Sequence, residues 1–185
     1  MTALTIPRPA ADEAASFYHG YIAKVTGDDL GEQLRQQLDR IEQLFRSVND
    51  TVALYRYAPG KWSIKEVLGH LTDAERIFAY RLLRIGRADA TPLAGFSENA
   101  YVPPGSFDDR TVGSLVKEFR AVRLSTVALV ENLPPAAWTR RGTASGNAVS
   151  SRALVYIIVG HVTHHLGVLE ERYRVGSGSG ATARA

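Results

Sequence analysis

The sequence contains no cysteine. That excludes disulfides, catalysis by a protein thiolate and every cysteine-based zinc site, and it is compatible with a reducing, cytoplasmic setting. Long apolar runs are missing near the start. The opening residues, Met1-Thr2-Ala3-Leu4-Thr5-Ile6-Pro7, carry neither a basic region nor an apolar stretch, so no signal peptide and no membrane partner is expected. Charge of one sign is not concentrated anywhere. Lys and Arg total 22 against 19 Asp and Glu, the formal net charge is +3, and both signs are interspersed. Without a basic run interleaved with aromatics, no nucleic-acid partner is expected. Strand-like alternation of useful length and short-period repeats are absent as well.

What is there is helical periodicity. Asp12 is a candidate cap for a first helix over Glu13 to Val25. Leu30, Leu34, Leu38, Ile41, Leu44 and Phe45 give a second, capped by Asp28 or Asp29 and reaching Val48. Ser63 and Glu66 form a capping box for a third, which runs to Ile85 and ends at Gly86. A fourth opens at Asp108 or Thr111 and ends before Pro134. The last, Leu154 to Arg174, is capped by Ser150 or Ser151. Residues 88–110 and 136–150 read as long loops, the first rich in proline and glycine. The pattern predicts an all-α four-helix bundle with an additional N-terminal helix and two long loops. Residues 1–175 are expected to form one domain and 176–185 a flexible Gly/Ser-rich tail.

Two of these helices carry histidine in their apolar stripes. His161 and His165 are one turn apart on the same face, in step with Leu154, Ile158 and Val168. His70 shares a stripe with Val67, Ala74 and Ile77. A buried imidazole needs a partner. The partner is either a hydrogen bond within the core or a metal ion. Three neutral imidazoles with an open position suit divalent zinc, nickel, cobalt or iron. His164 points about 100 degrees away from His165, which excludes it from the ligand set, and His19 reads as structural.

The run Tyr57-Ala58-Pro59-Gly60-Lys61-Trp62-Ser63-Ile64-Lys65-Glu66-Val67-Leu68-Gly69-His70-Leu71 resembles the DinB-like (YfiT-like) superfamily. So do Asp73 with Glu75-Arg76, Thr91 to Phe96 with Glu98, Gly142 to Gly146, and Gly160-His161 through His165. The resemblance covers roughly residues 12–175. It implies a four-helix bundle, usually a homodimer, with a divalent metal held by three histidines that fall here on His70, His161 and His165. It also implies a choice of activities: transfer using a low-molecular-weight thiol such as bacillithiol or mycothiol, isomerisation with related thiols, or metal-dependent hydrolysis.

The chemistry of such a site accommodates both main readings. A coordinated thiol is deprotonated, and a coordinated water loses its proton near neutral pH. From the resemblance, the first expectation is a thiol S-transferase with a zinc or nickel ion and a small-molecule substrate. The alternatives are a metal-dependent hydrolase and a non-catalytic metal-binding stress-response module. Asp73, Glu75 and Glu98 are candidates for carboxylates supporting the histidines, with Asp73 better placed than Glu75, and both Asp73 and Glu75 compete with plain helix-surface charge. Glu98, Asn99 and Tyr101 are candidates for the site mouth. Arg84, Arg140 and Arg141 could meet an anionic substrate, against a plainer role as solvated surface. Trp62 and Trp138 read as core anchors.

Overall fold

The computed structural model describes residues 5–176. The Gly/Ser-rich tail expected from residue 176 lies outside them from residue 177 on.

Four long helices carry the architecture: α2 (Leu30–Phe45), α3 (Ile64–Gly86), α5 (Val112–Glu131) and α6 (Ser151–Glu171). Their starts follow the sequence signals. Asp29, Ser63, Thr111 and Ser150 each accept a hydrogen bond from a backbone N–H three residues on, which satisfies donors the helix leaves free. At Ser63 the reciprocal bond from Ser63 N–H to Glu66 completes the capping box.

Contacts along the helices fix their directions. Lys65 reaches Asp108 just before α5, Arg76 pairs with Glu118, and Gly86 abuts Leu133, so α3 and α5 run parallel. Arg35 meets Glu131 and Glu42 meets Arg120, so α2 is antiparallel to α5. Trp62 and Tyr173 meet at one end of the α3–α6 pair, which is antiparallel. The bundle is thus up, down, down, up; one of its two long connections joins the parallel helices α3 and α5, which need one, and the other joins the antiparallel α5 and α6.

Those connections are more ordered than their composition suggests. Within 88–110 lies a short helix α4 (Glu98–Gly105), which contains Pro103 and Pro104. Both prolines lack the N–H a helix would use; buried Val102 anchors the segment from one side. Within 136–150, β1 (Arg141–Ala144) and β2 (Asn147–Ser150) form an antiparallel hairpin. Ser145 and Gly146 at its tip have φ of 52° and 75°, the backbone of a two-residue hairpin turn. Arg81 of α3 ties the two connections together, donating to Ala94 O and to Ser145 Oγ at 2.9 Å each.

The N-terminal helix expected over Glu13 to Val25 is replaced by two 3-10 turns, Ala11–Glu13 and Ser16–Tyr18, and a single-turn α1 (His19–Ile22). The reason is Glu13. Its carboxylate turns inward to Arg152 of α6, with Nε to Oε2 at 2.7 Å, and that hydrogen bond pulls its pKa down to about 2. The chain then breaks into an extended conformation at Ala14. Asp12, expected as a cap, pairs with Arg141 instead.

By length and composition α6 could cross a membrane, but 61% of its apolar window is buried inside the bundle. Its apolar residues make the core.

Candidate metal centre

The first third of α3 faces the middle and second half of α6. His70 and His161 are buried and His165 is half-buried. One ring nitrogen from each lies within 4.8 Å of the others. His70 Nε2 and His161 Nε2 are 3.0 Å apart. The ring centroids are separated by 5.0 Å (His70–His161), 4.9 Å (His70–His165) and 4.6 Å (His161–His165).

Close packing of the helices depends on the residue before each leading histidine. A Cβ on Gly69 would stand 2.3 Å from the Phe107 ring, and one on Gly160 would stand 2.0 Å from the Tyr21 carbonyl oxygen. Only glycine lets these neighbours approach. The consequence at the second position is chemical: Tyr21 comes edge-on to His161 at 5.3 Å and to His164 at 5.5 Å. Trp62, 4.8 Å from the His70 ring, and Phe78, 5.8 Å from His161, complete an aromatic wall.

Burial keeps all three imidazoles neutral. It pushes His70 down to about 4 against a small opposing pull from Glu98, and His165 down to about 3 with help from His70 and His164. His161 is driven well below the ordinary value by burial, then by its histidine neighbours and Arg123. Neutral imidazole is the metal-binding form. Two nitrogens on one tetrahedral zinc, each about 2.0–2.1 Å from it, sit roughly 3.3 Å apart, close to the 3.0 Å between His70 Nε2 and His161 Nε2. His165 Nδ1 is buried with no hydrogen-bond partner, a costly state that a partner would relieve. The three residues fit a divalent ion. Among the described residues the group holds three donors and no fourth.

The family model described as DinB superfamily matches residues 33–169, which span both histidine helices. The chain belongs to the DinB superfamily. Among curated proteins no sequence match is found. Three solved structures share the fold of this DinB-superfamily chain. YfiT from Bacillus subtilis aligns with a TM-score of 0.72 at 15% identity, over 91% of this chain and 93% of its own, and is described as "a probable metal-dependent hydrolase with an unusual four-helix bundle topology". A mycothiol-dependent maleylpyruvate isomerase aligns with a TM-score of 0.61 at 14% identity, over 78% of this chain and 60% of that one. A DinB-like protein of Bacillus subtilis, YjoA, aligns with a TM-score of 0.58 at 20% identity, over 80% of this chain and 90% of its own.

The carboxylates singled out in this DinB-superfamily sequence go to three different places. Asp73 is half-buried beside Arg76, 3.6 Å away, in the field of Glu118 and Arg110 rather than of a histidine. Glu75 is buried rather than surface charge, and one of its oxygens is engaged elsewhere while Oε1 is buried without a partner. It meets the completely buried Arg123 at 2.6 Å. Arg123 also donates to Gln37 Oε1 at 2.8 Å, and Gln37 in turn donates to Val159 O at 2.7 Å and Thr163 Oγ1 at 2.9 Å. This buried chain clamps α2, α3, α5 and α6 together beside the histidines. Glu98, at the start of α4, is the one candidate whose charge reaches His70, and it also reaches Tyr18 and Tyr21.

Asn99 lines a cleft that His165 also lines. Tyr101 instead packs on Phe96 at 5.4 Å and stays largely exposed. Arg84 is held by Asp89, Arg140 by Gly86 O and Arg141 by Asp12, so none of the three faces the histidines. Trp138 is a core residue. Trp62 packs on the core and also lines the cleft. His19 ties Ala11 O and Ala14 O, a structural role. Sequence reading missed Tyr21, Phe78, Tyr57 and Tyr173. The glycines directly before His70 and His161 were a usable signal for close neighbours; nothing local marked the tyrosines.

Proposed function

We propose that this chain is a divalent-metal-dependent enzyme acting on a small molecule, with the ion held by His70, His161 and His165. The observation that supports this most is the combination of three converging imidazoles, kept neutral by burial, with one of them opening on a cleft. A structural site would close with a fourth protein ligand, and the three-donor group favours catalysis over a purely metal-storing module.

A divalent ion bound there, zinc or nickel by donor type, would acidify a coordinated thiol or water and so supply a nucleophile at neutral pH. The chain supplies no cysteine, so the nucleophile comes from solution. Our first reading is S-transfer from a low-molecular-weight thiol, supported by the shared fold with a mycothiol-dependent isomerase. The second is hydrolysis, supported by the higher structural similarity to YfiT. In either reading Glu98, whose charge acts on His70, is our candidate to accept a proton from the nucleophile. Trp62 and Phe78 keep the histidine layer dry on two sides. A cytoplasmic location and a homodimer belong to the same proposal. Exposed Tyr80 and Leu83 on α3 with Leu124 on α5 support the dimer.

The test is metal analysis of protein purified without an affinity column, wild type beside His161→Ala. Near one equivalent in the wild type, lost in the variant, supports the centre. No uptake of zinc or nickel by the wild type overturns both enzymatic readings. Loaded protein then separates them. Turnover of electrophiles only with added thiol supports transfer, and ester or amide turnover without thiol supports hydrolysis.

A further inference from the structure

The cleft beside the histidines has a composition that selects its ligand. It encloses about 270 Å3 and runs between the α2–α3 connection, α4 and the end of α6. That is just below the roughly 300–1,000 Å3 of drug-sized pockets, so its occupant is small. Its walls are aromatic. Tyr57 stands edge-on to Tyr173 at 4.9 Å, and Tyr173 donates to the main-chain Trp62 O at 2.6 Å, which fixes Tyr173 beside the segment that carries Trp62; all three residues line the cleft. Such rings favour a flat partner stacked or edge-on.

One lining residue carries a fixed charge, and it is Lys61. Its position is set by the turn before it. Ala58-Pro59-Gly60-Lys61 closes with Lys61 N–H donating to Ala58 O at 3.2 Å, and Gly60 takes φ of 72°. Proline then glycine in the two central positions suits this turn. Lys61 is exposed, and its amine meets no acceptor among the described residues. The neighbouring Arg56 is spent on Glu66 and Asp108. His165 lines the same cleft.

We infer that the cleft binds a small, flat, carboxylate-bearing substrate, its ring against Trp62, Tyr57 and Tyr173, its carboxylate at Lys61 and its reacting group toward His165. The last element rests on the metal-centre reading above; the ring and carboxylate contacts do not. A cationic ligand of the same shape would meet Lys61 with like charge, and a long flexible one would exceed the volume.

The experiment uses two probes of matching shape, 1-naphthoate and the neutral 1-naphthalenemethanol, titrated into zinc-free and zinc-loaded 15N-labelled protein. The readout is the indole N–H signal of Trp62, with Trp138, buried in the other half of the core, as internal control. Naphthoate should shift Trp62 and leave Trp138 in place. It should bind roughly three- to tenfold more tightly than the alcohol, the range between an exposed ion pair and a charged hydrogen bond. Lys61→Ala should erase that ratio while zinc uptake is unchanged, and Tyr57→Ala should weaken both probes. Equal affinity of the two probes, a ratio that survives Lys61→Ala, or a ratio present only with zinc overturns the inference. Zinc stoichiometry is read separately. A protein that takes no zinc but shows the Lys61-dependent ratio sinks the metal reading and leaves this one standing.

Discussion

His70 Nε2 and His161 Nε2 face each other at 3.0 Å across the α3–α6 interface. One proton between them would make a hydrogen bond, and one metal ion would replace it. Replacing either ring should separate the outcomes. His161→Ala is expected to abolish metal uptake. His164→Ala, which removes the half-buried neighbour outside the group, should leave the stoichiometry near one. Calorimetric titration with zinc checks both. Equal uptake by wild type and His161→Ala would assign the 3.0 Å contact to a plain hydrogen bond.

Acid should weaken the metal-free protein in a defined window. Burial lowers His70 from 6.5 to about 4 and His165 to about 3. As pH falls through about 6.5 the unfolded chain takes up protons at these positions and the folded one does not. The folded state binds fewer protons, so stability is fully present above the unfolded value and is lost as pH drops toward about 4. For His70 alone the loss is roughly 3 kcal/mol. Urea denaturation at pH 7.5 and 4.5 measures it, and His70→Asn should flatten the dependence.

The glycines before the histidines should tolerate no side chain. Gly160→Ala drives a methyl into the Tyr21 carbonyl, and Gly69→Ala drives one into Phe107. Each is expected to cost about 1–3 kcal/mol, as overpacking does. Gly113→Ala, at the start of α5, meets nothing within 4 Å and should be neutral or slightly stabilising. Thermal melts of the three variants give the comparison.

Arg123 and Glu75 should behave as a unit. Arg123→Met alone leaves the Glu75 carboxylate buried without its cation, a loss expected near 3–5 kcal/mol. Adding Glu75→Leu should restore much of that stability. A double-mutant cycle in urea reads the coupling. Additive losses would show that the pair contributes as two separate residues.

The exposed apolar residues on α3 and α5 predict self-association. Light scattering should give twice the 20.2 kDa chain mass, and Leu83→Glu should halve it. A monomeric wild type would remove the dimer from the proposal.

Much of this was legible in the residues, for identifiable reasons. The helix starts were readable because Ser63, Glu66, Thr111 and Ser150 act on their own backbone within three residues. The histidine group was readable because each member keeps step with an apolar stripe, and period alone places it inward. The first helix was misread because Glu13 answers to Arg152, a partner 139 residues away. Glu75 failed as a support for the histidines for the same reason: its fate is decided by Arg123 on another helix. The hairpin escaped because two four-residue strands are too short to show alternation. Local signals survive in the sequence; long-range polar pairings do not.

The order of the helices also decides when the centre can exist. His70 and His161 are separated by 91 residues, and two of the three imidazoles sit on α6, the fourth of the long helices. A nascent chain carries a solitary histidine on α3 until α6 has emerged and docked. Contacts this distant in sequence form late and slowly. If the three histidines hold an ion as proposed, its capture waits for closure of the core, and a ribosome-stalled fragment ending before residue 150 would lack two of the three ligands and is expected to bind none.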